Sequence, residues 1–396
     1  MKIHFFLGTT FPFGMAGTKR VHCYAKGLIA NGDKICIHVC HRFYKKDDTD
    51  NLPSSGLYNE IEYNYPSGKI KSQYKFKRGL DYYFLDSVKV FFYALYNVKR
   101  GERMFVYLYP IFTQILLLIV AFLKKAKIVK ETCEHPSSLG NPNSKWHKLC
   151  KWFEYHFVMP YYDGFIPIST ELQKFEDKYK KDKAKSIIVP ILVDNAILNL
   201  DFKSVEPPYN VPFIIHTGTM LEQKDSISKI IKAFAKYKQT YKSKIKLVFT
   251  GPQANDRCKY IPLMKDLNVF DDIELLGLIS VDQVVYLQHF AAMTIIYKSD
   301  NLQTRNCFPT KLGEMLMNRI PVITTTVGDA NLYLVNGESA LIFEPDDDDK
   351  LIEYIHVLLT DKDKAIRIGE RGHDVAEECF NPYFQGKRLH DFYESL

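Results

Sequence analysis

The sequence predicts an α/β protein of two halves, each a parallel sheet covered by helices. Three observations carry that reading. Short β-branched or aromatic runs alternate with segments of helical periodicity along most of the chain. A stretch at 200–212, holding Pro207, Pro208 and Pro212, interrupts the alternation near the middle and reads as a linker. The length of 396 residues is too great for one ordinary domain and suits two. The expected limits are 1–205 for the first domain and 206–380 for the second, and 381–396 is a terminal helix with Phe384, Leu389, Phe392 and Tyr393 at helical spacing.

Apolar residues make up 46% and charged residues 25%, the proportions of a soluble globular protein. A net charge of +7 gives no argument for a nucleic-acid partner. The eight cysteines (23, 36, 40, 133, 150, 258, 307 and 379) include no Cys-x-x-Cys pair, so reduced thiols in a cytoplasmic protein are expected, not a disulfide frame or a zinc site. The opening MKIHFFLGTTFPFG has too short an apolar run for a signal peptide and reads as a first core strand.

Residues 3–7, 18–30 and 34–40 read as strand, helix and strand. Val21, Tyr24, Ala25, Leu28 and Ile29 share one helical face, and Asn31-Gly32 is the stop signal. In the loop GTTFPFGMAGTKR, Gly14 and Gly17 permit close approach of a ligand, and Lys19 and Arg20 put positive charge at the helix start. The loop lacks the GxGxxG spacing of a dinucleotide fingerprint. Residues 61–65 read as a strand. Segment 71–100 combines seven Lys/Arg with nine aromatic side chains. It reads first as a core helix with a solvated face, and it is also where contact with an anionic membrane surface is expected if the protein is peripheral to a membrane. Segment 104–123 is long enough to span a bilayer. The preferred reading is strand 105–109, a break at Pro110, a buried helix to Leu123 and strand 127–130, because Pro110 stands where the pattern changes. Glu131, Glu134 and His135 then lie at the carboxyl end of a parallel strand, where they can serve acid–base work or form a surface cluster by chance. Strand 164–168, a helix begun by Ser169 and Thr170, and strand 186–190 complete the first half.

The second half starts with strand 213–217, the turn Gly218-Thr219, Lys224, and a helix with Ile227, Ile230, Ile231 and Phe234 on one face. Strand 245–250 closes at Gly251-Pro252, and Ser280-x-x-Gln283 is a capping box. The acidic run 346–349 precedes Leu351, Ile352 and Ile355 and reads as helix capping, not as a metal site. Strand 293–297, a helix with Leu312, Met315 and Leu316, and strand 322–326 make a βαβ unit, whose chemistry belongs in the loop at the carboxyl end of its first strand. Pro309 is placed at the first helical position, where its missing N–H costs nothing. The N–H groups of Phe308, Thr310 and Lys311, the helix dipole and the Lys311 ammonium then form an anion site suited to phosphate. Glu314 falls roughly 7 Å from the helix start, the spacing of a pyrophosphate from the ribose diol of one nucleotide. Lys224 is expected to project toward the same edge. An ordinary amphipathic helix and a solvated lysine are the plainer readings of these residues.

FPTKLGEMLMNRIPVITT (308–325), HTGTMLEQKD (216–225), FPFGMAGTKR (11–20), ISTELQKF (168–175) and VPILVD (189–194) together resemble the GT-B glycosyltransferases, retaining family 4 (glycosyl transferases group 1) in particular, over essentially the whole chain. The resemblance implies two Rossmann-like domains facing a central cleft, with the C-terminal helix packing on the N-terminal domain. It implies transfer of a hexosyl or related sugar from a nucleotide diphosphate sugar to a saccharide or lipid-linked hydroxyl acceptor, with retention and without metal or further cofactor, in cell-surface polysaccharide or glycoconjugate assembly.

Carried over by position, Glu314 matches the second Glu of the family's Glu-x7-Glu motif, which holds the ribose, and Asn306 replaces the first, which contacts the donor sugar. Phe308, Pro309, Thr310 and Lys311 fall at the pyrophosphate. The family's Arg and Lys for the phosphates fall on Thr219 and Lys224, leaving Lys311 or Arg20 to compensate for the absent Arg. Gly17 corresponds to the glycine loop facing the phosphate, Gly218 and Gly251 join the donor-binding set, and the catalytic-region His maps to Glu134-His135. A non-catalytic nucleotide-sugar-binding protein and a nucleotide-sugar epimerase share this scaffold.

Overall fold

In the computed structural model, which describes residues 1–41, 53–68, 84–138, 144–194 and 205–396, the apolar runs become parallel strands because helices cover both faces of each sheet. Two units result: Met1–Pro190 with Pro382–Leu396, and Ile191–Asn381.

The first unit holds β1 (Lys2–Leu7), β2 (Lys34–Val39), β3 (Ser55–Tyr58), β4 (Ile61–Asn64), β5 (Arg103–Tyr107), β6 (Lys127–Thr132), β7 (Gly164–Pro167) and β8 (Lys185–Ser186). They form one sheet in the order β3-β4-β2-β1-β5-β6-β7-β8, parallel throughout except for β3 against β4. Strand β8 is shorter than the expected 186–190, yet Ile187 and Val189 still donate backbone hydrogen bonds to Phe165 and Pro167, so the extended run continues alongside β7.

Alternate residues of these strands face opposite layers. Phe6, Met104, Val106, Ile128 and Phe165 pack under helices Asp86–Asn97, Ile111–Lys124 and Thr170–Asp177. On the other face, helix Ala16–Ala30 lies against the C-terminal helix Pro382–Ser395. These two helices meet at glycines: a Cβ on Gly27 would lie 2.0 Å from the Pro382 carbonyl oxygen, and one on Gly386 2.3 Å from the Gly27 carbonyl carbon. His390 adds a 2.9 Å contact to Asp33, which also accepts from the Met1 amino group at 2.7 Å.

The membrane-length segment 104–123 resolves into β5, the extended Pro110 and helix Ile111–Lys124. Among the described residues no helix is long and apolar enough to cross a membrane. Of segment 71–100, residues 71–83 lie outside the described residues, and helix Asp86–Asn97 occupies much of the remainder.

The second unit is a six-stranded, all-parallel sheet of β9 (Phe213–Thr217), β10 (Lys246–Thr250), β11 (Ile273–Leu275), β12 (Met293–Ile296), β13 (Val322–Thr325) and β14 (Leu341–Phe343). Its order, β11-β10-β9-β12-β13-β14, runs outward from β9 in one direction and from β12 in the other. The point where the direction reverses, between β9 and β12, is where open parallel sheets part their loops and admit a ligand. The local signals act as their chemistry dictates. Ser280 and Gln283 form the capping box of Val281–Phe290, and the Asp347 carboxylate accepts from the Lys350 N–H at the start of Asp348–Thr360, so this part of the acidic run caps a helix.

Candidate functional site: a cation cluster at the switch point

Four titratable side chains converge at the carboxyl ends of β9 and β12. His216 is in β9, Lys298 follows β12, Asp225 ends the short helix Glu222–Asp225, and Lys311 lies in the first turn of helix Thr310–Met317. Lys298 Nζ donates to Asp225 Oδ1 at 2.9 Å and to the Lys224 carbonyl at 2.6 Å. Lys311 Nζ lies 3.5 Å from the other carboxylate oxygen of Asp225 and 3.5 Å from His216 Nε2. Burial opposes ionisation of Asp225, but the two ammonium groups hold its carboxyl well below the usual range. Burial, reinforced by Lys311, drives His216 down to about 3, so its neutral ring accepts from Lys311 through Nε2. Desolvation lowers Lys311 to about 8, with Asp225 acting against the shift and Lys298 with it.

Two cations against one carboxylate leave the cluster with a net positive charge. The side chain of Lys298 is nearly buried, whereas that of Lys311 keeps 24% of its surface exposed. Lys311 is therefore the cation able to meet a ligand, and Lys298 the one that fixes Asp225 beneath it.

The glycines make room for this. A Cβ on Gly218, whose φ is +119°, would lie 2.2 Å from Lys311 Cε and 2.4 Å from its Nζ. One on Gly251 would lie 1.9 Å from the Gly218 carbonyl oxygen, so the loops after β9 and β10 touch backbone to backbone. Gly218→Ala is expected to displace Lys311 and to strain the loop by about 1–3 kcal/mol. Thermal unfolding and nucleotide titration check it: a small stability loss with a large loss of affinity is the expected pair. The loop is otherwise pinned, since Tyr260 Oη donates to the Met220 carbonyl at 3.2 Å and to Glu222 Oε2 at 2.9 Å.

Several sequence expectations are adjusted here. Pro309 is the N-cap and not the first helical residue; Thr310 begins the helix, and the Leu312 N–H already bonds the Pro309 carbonyl. Phe308 is buried, packed edge-on against Tyr333 and Phe380, so its ring is core. Thr310 is exposed, and Glu314 is half-buried three residues beyond Lys311, close enough to act on its charge. Thr219 is half-buried in the loop after β9. Lys224 is half-buried on the turn that Lys298 clamps through its carbonyl. Asn306 ends helix Leu302–Asn306, buried, with Nδ2 donating to the Leu302 carbonyl at 2.8 Å.

In the first unit, Arg20 is buried and engaged inside the unit: its Nε, Nη1 and Nη2 donate to Glu131 Oε1, the Pro190 carbonyl and the Val189 carbonyl at 2.7, 2.5 and 2.7 Å. Glu131 is taken up by the same pair and by the Tyr24 hydroxyl, so it leaves the acid–base trio. His135 Nδ1 lies 2.6 Å from Ser137 Oγ and accepts from the Ser137 N–H at 3.3 Å, which puts the neutral ring's proton on Nε2. Its ring packs edge-on against Phe175, and burial lowers its pKa. Glu134 is half-buried beside it. Gly17 is in the first turn of Ala16–Ala30, where a Cβ would lie 3.2 Å from Tyr107 Oη.

Sequence reasoning passed over Lys298, Asp225 and His216. Lys298 was within reach, being a charged residue that directly follows the buried run 293–297. Asp225 and His216 gain meaning only from what stands opposite them.

Residues 199–375 match the model of the family described as glycosyl transferases group 1. No curated protein sequence matches the chain. Among solved structures, sucrose-phosphate synthase from Thermosynechococcus elongatus is 15% identical with a TM-score of 0.74, covering 100% of this chain and 98% of that one. HepE from Anabaena, solved with UDP and glucose, is 13% identical with a TM-score of 0.70 and full coverage of both chains. A glycosyltransferase from Rickettsia africae is 15% identical with a TM-score of 0.72, covering 100% and 98%. The chain has the GT-B fold, and its residues 199–375 carry the match to the group 1 glycosyl transferases.

Proposed function

We propose that the protein transfers a sugar from a nucleotide diphosphate sugar to a hydroxyl acceptor, a saccharide or a lipid-linked sugar of a cell-surface polysaccharide or glycoconjugate, with retention at the anomeric carbon. The observation that carries this reading is Lys311 in the first turn of helix Thr310–Met317, over Gly218 and beside Asp225 and Lys298 at the reversal of the sheet. A diphosphate there meets an ammonium and the positive end of a helix. Glu314, one turn further along, suits the ribose diol, and the UDP bound by HepE supports a nucleotide of this size. Lys224 joins Lys311 at the phosphates, and Gly218, Thr219 and Gly251 supply the close backbone. Asn306 takes the donor-sugar side of the motif, and Glu134 and His135 keep the acceptor-side role that the family resemblance implies.

In the transfer, the bond from the anomeric carbon to the diphosphate oxygen breaks with its electron pair leaving on the diphosphate. The acceptor oxygen bonds the same carbon, and its proton passes to water. The leaving group therefore gains charge as the reaction proceeds, and fixed cations stabilise it without a metal. Each charged hydrogen bond supplies about 1.5–3 kcal/mol, against the roughly 8–23 kcal/mol by which enzymes lower barriers. Positioning of donor and acceptor supplies much of the rest.

Donor hydrolysis measured over a panel of nucleotide sugars tests the reading, with one donor expected to stand out. Glu314→Ala should weaken nucleoside diphosphate binding roughly 10–100-fold by removing a charged acceptor. Failure of the wild-type protein to bind any nucleoside diphosphate in calorimetry would sink it.

A further inference from the structure

The Lys311 ammonium sits against two turns of the second unit that are locked to each other. Asp225 ends helix Glu222–Asp225 after β9, and Lys298 follows β12. The next residue of each turn makes the lock: Ser226 Oγ lies 2.8 Å from Ser299 Oγ and accepts from the Ser299 N–H at 3.2 Å. Thr325 of β13 holds the Lys298 backbone, its hydroxyl accepting from the Lys298 N–H at 3.1 Å and donating to the Lys298 carbonyl at 2.9 Å. Asp225 and Lys298 are therefore fixed in place by the fold itself.

The Asp225 carboxylate is shared unequally. Its Oδ1 accepts from Lys298 at 2.9 Å, and Lys298 is held a second time by the Lys224 carbonyl at 2.6 Å, whereas Oδ2 stands 3.5 Å from Lys311. A charge-assisted N–H···O bond is about 2.7–2.9 Å long, so Lys298 is bonded and Lys311 is attracted without being clamped. The neutral ring of His216 also stands 3.5 Å from Lys311 Nζ, presenting the Nε2 lone pair. Lys311 thus has two acceptors within reach and is committed to neither.

This geometry resolves a conflict in the chemistry of the site. An ammonium that meets a diphosphate must keep its charge where burial opposes it, and a neighbouring carboxylate favours that charge. A carboxylate bonded fully to the ammonium would, however, occupy the place of the phosphate oxygens. Around Lys311, Asp225 and Glu314 favour the charged form, Lys298 opposes it and His216 is neutral. By drawing off one oxygen of Asp225, Lys298 leaves enough attraction to seat Lys311 and too little to hold it against a ligand of greater charge.

We propose that Asp225 and Lys298 are positioning residues for Lys311: Asp225 seats the ammonium over Gly218, and Lys298 holds the carboxylate back so that Lys311 is released to an incoming diphosphate. Both act through Lys311. The release step rests on the phosphate role given to Lys311 above, whereas the seat itself is a property of the protein without nucleotide.

Competitive acetylation of the full chain with acetic anhydride across pH, read by peptide mass spectrometry without nucleotide, follows the ionisation of Lys311. Its midpoint should lie at about 8 in the wild-type protein. Asp225→Asn should lower that midpoint by roughly 1–3 pH units, the effect of losing an opposite charge at this range, and Lys298→Met should raise it by removing a like charge. A purely structural pair predicts otherwise, since loosening the turns would expose Lys311 and raise the midpoint in both variants. Shifts of the same sign, or none, overturn the proposal. At neutral pH, calorimetry should show UDP binding weakened roughly 10-fold in Lys298→Met, where Asp225 is left to bond Lys311. Opposite shifts in a protein whose wild-type form binds no UDP support the seat and overturn the phosphate role alone; UDP binding with an unmoved midpoint does the reverse.

Discussion

Lys311→Met is expected to lower kcat/KM for donor turnover roughly 10²–10³-fold, the usual cost of removing one charge-stabilising donor from the transition state. The fold should survive, because Asp225 keeps its 2.9 Å bond to Lys298. The pH dependence gives a second reading of the same group. Desolvation sets Lys311 at about 8, so the free protein loses this positive charge as pH rises through that value. The wild-type kcat/KM should therefore fall above about pH 8, since that ratio reports the free enzyme. The corresponding limb in kcat should lie at higher pH, because a bound diphosphate favours the ammonium form. Lys311→Arg keeps its charge and should show no such limb. A wild-type limb that persists in the Arg variant would assign it to another group.

Arg20→Met is expected to destabilise the first unit by about 3–5 kcal/mol, the cost of leaving one partner of a buried ion pair uncompensated. Glu131 would remain buried with the Tyr24 hydroxyl and the Cys133 thiol as its neighbours. Two backbone carbonyls, of Val189 and Pro190, would lose their donors as well. Urea unfolding measures the effect, and Arg20→Met/Glu131→Leu should recover part of it by removing the stranded charge. Unchanged stability with a weakened donor interaction would instead restore Arg20 to the phosphate role that its position in the loop first suggests.

The contrast between Arg20 and Lys311 shows what local sequence can and cannot say about a charge. Both follow a glycine-bearing or proline-bearing loop and stand in the opening turns of a helix, and both carry the same expectation of a phosphate. Arg20 points into the unit, where Glu131 and two carbonyls each accept from one of its three nitrogens, whereas Lys311 keeps part of its side chain in solvent. Their difference is one of side-chain direction, which depends on elements distant in the chain.

The helix Ile111–Lys124 gives the same lesson for apolar residues. Its periodicity and its break at Pro110 separate it from a membrane span, but its burial cannot be read from hydropathy alone. Gln114 joins Lys130 and Glu154 in a polar cluster at the start of the inward face, Leu117, Val120 and Ala121 fill the rest of it, and Phe122 stays outside.

The amino-acid sequence by itself determined the alternation of strands and helices, the capping signals at Ser280 and Asp347, and a helix start at Thr310 behind Pro309, because each depends on periodicity or on backbone chemistry within a few residues. The tertiary structure alone decided which cations stay exposed, that Lys298 and Asp225 underlie Lys311, and that Phe122 of a largely apolar helix lies outside. Those outcomes depend on which strands become neighbours at the reversal of the sheet and on which buried charges need partners. Such pairings join residues distant in the chain, and no local pattern encodes them.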